Sequence, residues 1–223
     1  MPRFRLIRQD SGYELIDTHQ AQLALRIDFT AAKLQYRATR GGKKELLLRA
    51  VGAKPGLRVM DCTAGLGTDS FLLANAGCLV TMLERSKILN MLLSDALRSN
   101  VPNEIQQTLA RMHLLEADAK DVLSDMKRTD LPGENQVDRL PDVIFIDPMF
   151  PSRRKQALVN GSMQMLQNFV GKDQDATELL GLAIQTGCSK VVVKRPANGE
   201  TLDMYKPSYQ YSAKANRFDV FLQ

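Results

Sequence analysis

The stretch that decides the fold of this chain is DCTAGLGTDS, from Asp61 to Ser70. It directly follows a short apolar run at residues 57–60 and precedes a segment of helical character at residues 71–76. A strand that runs into two closely spaced glycines and then a helix is how doubly wound sheets present backbone N–H groups to a nucleotide. The stretch therefore predicts a ligand site at the end of this strand.

The spacing of the glycines separates two kinds of nucleotide site. Gly65 and Gly67 are present, but Ser70 stands where the G-x-G-x-x-G dinucleotide motif has its third glycine. The pattern D-x-x-x-G-x-G, which begins at Asp61, is typical of the loop that S-adenosylmethionine-dependent methyltransferases wrap around the methionine part of the cofactor. Taken alone, the loop leaves two alternatives open, another nucleotide site and a purely structural turn.

From residue 57 onward, the chain alternates strand-like and helix-like segments. Near-continuous apolar strands are typical of parallel sheets, and two final strands without an intervening helix predict an antiparallel pair. The expected fold is α/β, a Rossmann-like class I methyltransferase with a mostly parallel seven-stranded sheet. Its further strands are expected at residues 78–83, 112–115, 142–146, 190–194, 208–213 and 218–222. Further helices are expected at residues 86–97, 119–126 and 175–185, and one more precedes the first strand at residues 43–51.

The leading segment has a different character. Residues 1–42 carry alternating, strand-like pieces and are interpreted as a small β-rich extension, with residues 43–223 forming the methyltransferase domain. Residues 1–50 hold ten Lys or Arg and five Asp or Glu, whereas the remaining residues hold twenty of each sign. A basic segment on a neutral body suggests that a polyanion approaches this face, but a solvated surface explains so modest an imbalance equally well.

Composition excludes several classes of protein. Cys62, Cys78 and Cys188 lie far apart, and with two histidines they predict no metal site. Such sparse cysteines suggest a reducing cytoplasm. No secretory leader opens the chain and no apolar run approaches the length of a membrane span, so we expect a soluble, cytoplasmic protein.

Acidic residues follow the next two predicted strands. Glu84, followed by Arg85, can accept hydrogen bonds from both hydroxyls of a ribose, as the acidic residue of dinucleotide folds does. Its alternative role is as a partner for a helix N-terminus. Asp118 can accept a hydrogen bond from the exocyclic amine of adenine while the backbone of Ala119 touches the ring. The same carboxylate can equally cap the following helix.

The motif Asp147-Pro148-Met149-Phe150-Pro151 follows the predicted strand at residues 142–146. It is similar to the D/N-P-P-Y/F/W loop of methyltransferases that act on exocyclic amines. An aryl amine is a poor nucleophile because its lone pair is delocalised into the ring. The Asp147 carboxylate and the Pro148 carbonyl can each accept a hydrogen bond from one of its two N–H groups. Phe150 can stack on the extruded base. The structural alternative is a proline-stiffened turn with a buried phenylalanine.

Basic residues lie close to this motif on two segments. Those that follow it directly can bind the phosphates that flank an extruded base, although a solvated charged turn is the ordinary alternative. Two more end the next strand and are expected to border the same cleft. The candidate substrate contacts are therefore Arg153, Arg154, Lys155, Lys194 and Arg195.

Several segments together resemble the ribosomal RNA small subunit methyltransferase J family. The resemblance runs from about Arg37 to Leu222, and the Asp-Pro-Met-Phe-Pro string with the VVVKRP strand is its most specific part. Met149 departs from the general amine-methylase loop but matches this narrower family. The segments are RATRGGKKELLLRAVG, DCTAGLGTDSFLLANAGC, MLERS, FIDPMFPSRRKQALV, VVVKRP and NRFDVF.

The resemblance implies transfer of a methyl group from S-adenosylmethionine to the N2 amine of a guanine in 16S ribosomal RNA. It implies cofactor contacts by Thr68, Asp69, Glu84, Arg85, Asp118 and Asp147. The partner would be the RNA or the small ribosomal subunit, without a metal or a membrane. The rival interpretations are an amine methylase for DNA adenine or a protein amide, a non-catalytic RNA scaffold, and an NAD-dependent reductase.

Overall fold

The structure, a computed structural model, describes residues 3–10, 12–19, 23–41, 45–126, 140–148, 169, 176–199 and 205–223. The leading segment forms a three-stranded antiparallel sheet. Its strands are β1 (Phe4–Gln9), β2 (Gly12–Asp17) and β3 (Ala24–Leu25). The β-rich character that was predicted for this segment is therefore confirmed.

The remaining strands form one seven-stranded sheet in the order β6-β5-β4-β7-β8-β10-β9. The strands from β6 to β8 are parallel, and β10 is antiparallel to both of its neighbours. The mostly parallel sheet and its final antiparallel pair confirm the predicted fold class. The strands are β4 (Arg58–Asp61), β5 (Leu79–Glu84), β6 (Met112–Glu116), β7 (Val143–Ile146), β8 (Lys190–Pro196), β9 (Tyr209–Ser212) and β10 (Asn216–Leu222).

The helices follow the predicted alternation with some differences. They are α1 (Ala32–Tyr36), a π-helical turn (Arg37–Gly41), α2 (Leu46–Val51), α3 (Thr68–Asn75), α4 (Lys87–Leu97), α5 (Asn103–Leu109), α6 (Ala119–Met126) and α7 (Ala176–Gln185). The sequence did not predict α1, the π-helical turn or α5. These elements are short, and α5 buries only Thr108 and Leu109, so an apolar periodicity has no length in which to appear.

Both faces of the large sheet are covered. Alternation along the buried strand β7 places Phe145 in a core cluster with Phe71 of α3, and Ile144 in a second cluster with Leu180 of α7. The extension shares the first cluster, because Phe29 stacks on Phe71 with ring centroids 5.3 Å apart. The division of the chain at residue 42 stays a prediction.

The connectivity places a switch point between β4 and β7. From β4 the chain continues to β5 and β6 on one side, and it returns through β7 and β8 on the other. Ligands bind at such points in open α/β sheets, outside the carboxyl ends of the strands. Within the described part of the chain, no helix is long and apolar enough to cross a membrane.

Candidate active site

A cavity of about 450 Å³ opens at the carboxyl ends of the parallel strands. Its volume falls within the range of roughly 300–1,000 Å³ that is usual for small-molecule sites. It brings together most of the residues predicted from the strand ends. These are Asp61, Gly65, Thr68, Asp69, Glu84, Arg85, Asp118, Ala119, Asp147, Pro148, Lys194 and Arg195.

The two glycines of the loop serve different purposes. Both have a positive φ, +55° at Gly65 and +69° at Gly67, which favours glycine. A Cβ atom at Gly67 would lie 2.8 Å from Leu93 and 3.2 Å from Phe29, so close packing explains this glycine. Gly65 instead lines the cavity and donates its N–H to Glu84 Oε2 at 3.0 Å. The cofactor contact predicted for Gly67 stays a prediction.

Asp61 ends β4 as a buried carboxylate, with 2% of the residue exposed. Its Oδ2 accepts a 2.5 Å hydrogen bond from Ser70 Oγ, and its Oδ1 accepts one of 3.0 Å from the Thr63 N–H. Burial raises the pKa of Asp61 to about 6, although the two hydrogen bonds favour the charged form and lower the pKa. Ser70, the residue in place of a third glycine, thus ties the first turn of α3 to the end of the strand.

Glu84 is held at the end of β5 by two backbone groups. Ser86 N–H donates to Oε1 at 2.7 Å and Gly65 N–H to Oε2 at 3.0 Å, and the residue is 7% exposed. These two backbone bonds orient the Glu84 carboxylate at the end of the strand. The geometry accommodates both predicted roles, a partner for the helix start and an acceptor for ribose hydroxyls.

Asp118 lies between β6 and α6. Its Oδ1 accepts a 2.9 Å hydrogen bond from the Lys120 N–H, and its Oδ2 is 3.6 Å from Arg85 Nη1. The helix-capping alternative is therefore confirmed. The adenine contacts of Asp118 and Ala119 stay predictions, and both residues line the cavity.

The Asp147 carboxylate, which follows β7, forms an ion pair with a lysine from the next strand. Lys194 Nζ lies 2.7 Å from Asp147 Oδ2 and 2.6 Å from Asp69 Oδ2. The Asp147 N–H donates to Thr63 Oγ1 at 2.6 Å. Burial raises the pKa of Asp147 to about 7; Lys194 opposes this shift, whereas Asp69 and Asp61 add to it.

Arg37 and Thr63 are two of the cavity-lining residues that were not anticipated from the sequence. Arg37 of the extension lines the cavity, with Nη2 3.0 Å from Glu45 Oε1 and 3.8 Å from Asp69 Oδ1. Its position within the RATRGG segment was the available signal, but no strand-end pattern pointed to it. Thr63 occupies a variable position of the glycine-loop pattern, so its contact with Asp147 could not be inferred.

Some predicted contacts fall outside the described residues. Phe150, Arg153, Arg154 and Lys155 belong to this group. Lys194 and Arg195 are described, and both line the cavity. Among the residues that the structure describes, no group of His, Cys, Asp and Glu has an arrangement that could hold a metal ion.

The donor set fits S-adenosylmethionine. Leu66, Leu89 and Leu179 give part of the cavity an apolar lining that suits an adenine ring. The carboxylates of Glu84 and Asp118 line the same cavity and suit the hydroxyl and amine donors of an adenosine. The two sets of groups therefore match both the apolar and the polar parts of this cofactor.

The whole chain matches known proteins. A family model described as "Putative SAM-dependent methyltransferase" matches residues 2–223. A ribosomal RNA small subunit methyltransferase J from Thioalkalivibrio sulfidiphilus is 42% identical, with 93% of this chain and 83% of the relative covered. A protein of the same name from Neisseria gonorrhoeae is 43% identical, with 88% and 75% covered.

Solved structures agree with this match. The crystal structure of a SAM-dependent methyltransferase from Neisseria gonorrhoeae superposes with a TM-score of 0.73 at 36% identity, covering all of this chain and 84% of that one. An rRNA methyltransferase from Streptomyces viridochromogenes gives a TM-score of 0.50 at 10% identity, covering 80% of this chain and 81% of that one. The second likeness shows the fold alone.

Proposed function

This chain belongs to the ribosomal RNA small subunit methyltransferase J family of S-adenosylmethionine-dependent methyltransferases, and we propose that it methylates the N2 amine of a guanine in 16S ribosomal RNA. The observation that carries the proposal is the position of Asp147. Its carboxylate lies at the switch point of the sheet, in the same cavity as Glu84 and Asp118. An amine acceptor and a candidate adenosine site therefore share one enclosure.

The residues at the end of β7 supply the groups that an aryl amine needs. The Asp147 carboxylate and the carbonyl of Pro148 each accept a hydrogen bond from one N–H of the guanine amine, which directs the nitrogen lone pair toward the methyl group. When bound, S-adenosylmethionine supplies a methyl group whose bond to sulfur breaks, with its electron pair passing to sulfur, as the bond to N2 forms. Asp147 Oδ takes up the proton that N2 releases. A carboxyl group with a pKa of about 7 is suited to this exchange near neutral pH.

Positioning accounts for most of the proposed catalysis, because orienting two reactants can lower a barrier by roughly 7–11 kcal/mol. Thr63 Oγ1 fixes the backbone of Asp147, and Lys194 fixes its carboxylate. Asp61 and Ser70 hold the adjacent loop against α3. The chain thus presents a rigid acceptor to the amine before the substrate arrives.

The described surface beside the cavity suits an RNA chain. Arg37 lines the cavity from the π-helical turn. The adjoining helix α1 exposes Lys33 and Tyr36, and the π-helical turn exposes Arg40. Tyr36 is 65% exposed, which leaves its ring available for stacking on an unpaired base. Cations beside an exposed aromatic ring are a common arrangement for binding single-stranded nucleic acid, so the predicted polyanion would approach here.

The test is transfer of tritium from methyl-labelled S-adenosylmethionine to separate substrates. We expect label in small-subunit ribosomal RNA or in the small subunit, with digestion and mass spectrometry locating it on guanine N2. Label in DNA adenine or in a protein amide would replace the proposed substrate while keeping the reaction type. Asp147→Ala should abolish the transfer, and wild-type activity in that variant would contradict the assigned role.

A further inference from the structure

Lys194 connects three elements of the active site. It lies on β8, and its ammonium is within 2.7 Å of carboxylate oxygens on Asp69, in the first turn of α3, and on Asp147, after β7. The side chain is 21% exposed. Both contacts are short charge-assisted bonds, so the ammonium is already committed to two acceptors inside the cavity.

The carboxylates around Lys194 place several negative charges close together, and a cation stabilises them. Asp61, Asp69 and Asp147 all line one cavity, and crowded carboxylates repel one another and take up protons. Arg37 relieves only part of this repulsion, because it is 3.8 Å from Asp69 and also binds Glu45. Among the described residues, Lys194 is the cation with an ion pair to Asp147.

We propose that Lys194 is a positioning residue for methyl transfer, whose ammonium keeps the Asp147 carboxylate ionised and aimed at the amine by linking it to Asp69. This inference rests on the proposed function. It assigns Lys194 a role different from the substrate contact predicted from the sequence, which on RNA would be a contact with phosphate. A phosphate contact would require the ammonium to exchange two carboxylates for a ligand outside the cavity.

The ionisation of the two groups supports this role. Burial alone would lower the pKa of Lys194, but Asp69 and Asp147 raise it above its usual value, so the lysine stays charged. Asp147 titrates near pH 7 while Lys194 opposes its protonation. Without the ammonium, the same burial and the same neighbouring carboxylates would move the pKa of Asp147 higher. Besides Asp147, the charged groups that line the cavity are Arg37 of the π-helical turn, Asp61 of β4, Asp69 of α3, Glu84 of β5, Arg85 after it, Asp118 after β6, Lys120 of α6, and Lys194 and Arg195 of β8.

The experiment compares the pH profiles of kcat/KM for the wild type, Lys194→Met and Lys194→Arg, with small-subunit RNA and S-adenosylmethionine. In Lys194→Met we expect the acidic limb of the profile to move to higher pH by about one unit or more. At neutral pH, kcat/KM should fall roughly tenfold for each unit of this shift. Activity should partly recover as the pH rises. Lys194→Arg should keep the wild-type limb, because the charge remains.

Lys190→Met is the matched control. Lys190 lies on the same strand, and its Nζ binds the carbonyl of Val51 at 3.2 Å, away from the cavity lining. Its removal should leave the limb in place. Thermal unfolding and calorimetric cofactor binding establish that each variant is folded.

A second measurement does not depend on turnover. Carbon NMR of the aspartate carboxyl groups, assigned with Asp147→Asn, follows the Asp147 titration in the wild type and in Lys194→Arg and Lys194→Met. A higher pKa in Lys194→Met supports the inference even if the RNA substrate proves to be another molecule. An unshifted pKa overturns it, as does a higher KM for RNA with an unchanged limb, which is the result expected for a phosphate contact.

Discussion

Two sides of one cavity hold their carboxylates by different means. The side that we propose to bind adenosine, called the adenosine side, comprises Glu84 and Asp118. Each of them accepts a hydrogen bond from the backbone N–H two residues further along the chain. The transfer side comprises Asp69, Asp147 and Lys194, and its ion pairs join residues 125 and 47 positions apart. A local turn therefore holds one oxygen of each carboxylate on the first side, whereas the contacts of Lys194 on the second side depend on the arrangement of the strands.

This difference between the two sides predicts which substitutions should change the rate of methyl transfer and which should change cofactor affinity. A carboxylate held by its own turn keeps its geometry whenever the strand and helix form. A carboxylate held by a distant lysine depends on the packing of β7 beside β8. Rate should therefore respond most to changes on the transfer side, and cofactor affinity to changes on the adenosine side.

The largest effect is expected from Asp147→Asn. The variant keeps the shape of the side chain but cannot accept the proton that N2 releases, so kcat should fall by about 100- to 10,000-fold. The dissociation constant of S-adenosylmethionine should change little. Single-turnover transfer and calorimetry measure the two quantities separately. A loss of cofactor affinity with unchanged kcat would place Asp147 on the adenosine side of the comparison.

Glu84→Gln tests the opposite side. Hydrogen bonds to charged groups contribute about 1.5–3 kcal/mol, so the cofactor dissociation constant should rise by roughly 10- to 100-fold. At saturating cofactor, kcat should stay near the wild-type value. Calorimetry and initial rates check the split. The distinction between the two sides fails if kcat falls while the dissociation constant does not move.

Asp61→Asn tests the buried carboxylate at the end of β4, which lines the same cavity, through the pH dependence of the free energy of unfolding. Burial raises the folded-state pKa of Asp61 from 3.8 to about 6, so the folded protein holds this proton more tightly than the unfolded chain. The resulting stabilisation is present below about pH 4 and is lost as the pH rises to about 6.

In that pH window the wild type should lose up to about 3 kcal/mol more unfolding free energy than Asp61→Asn. Urea unfolding at several pH values measures the difference. Parallel curves for the two proteins would show that Asp61 is ionised in the folded state as readily as in the unfolded one.

The smallest effect is expected from Asp142→Asn, which removes an ion pair at the opposite ends of the same two strands. Arg58 begins β4, Asp142 precedes β7, and their side chains are 41% and 40% exposed at 2.8 Å separation. Such surface pairs contribute at most about 1 kcal/mol. Stability should drop by no more than this, and the transfer rate should be unchanged. A rate loss comparable to that of Lys194→Met would contradict the expectation that only the carboxyl ends of the strands, where the cavity lies, affect methyl transfer.

Much of the fold could be predicted because its signals are local. The glycine loop, the apolar strands and the final antiparallel pair all lie in short windows of the sequence. Gly67 shows the limit of such patterns: its position was predicted, yet the reason for a glycine there is contact with Leu93 and Phe29, which come from distant segments. The helices α1 and α5 were missed because α1 buries no residue and α5 buries only two adjacent ones, so neither shows an apolar periodicity.

The sequence by itself determined the order of the strands along the chain and the acidic residues at or just after the ends of β4, β5, β6 and β7. Asp61, Glu84 and Asp118 could be recognised because each stands at or just after the end of a predicted strand, and each binds a backbone N–H two residues further along the chain. Only the tertiary structure decided that Lys194 contacts Asp69 and Asp147, and that Arg37 of the extension enters the same cavity. The physical reason is that an ion pair depends on distance in space, and parallel strands bring together residues that no short window of the sequence contains.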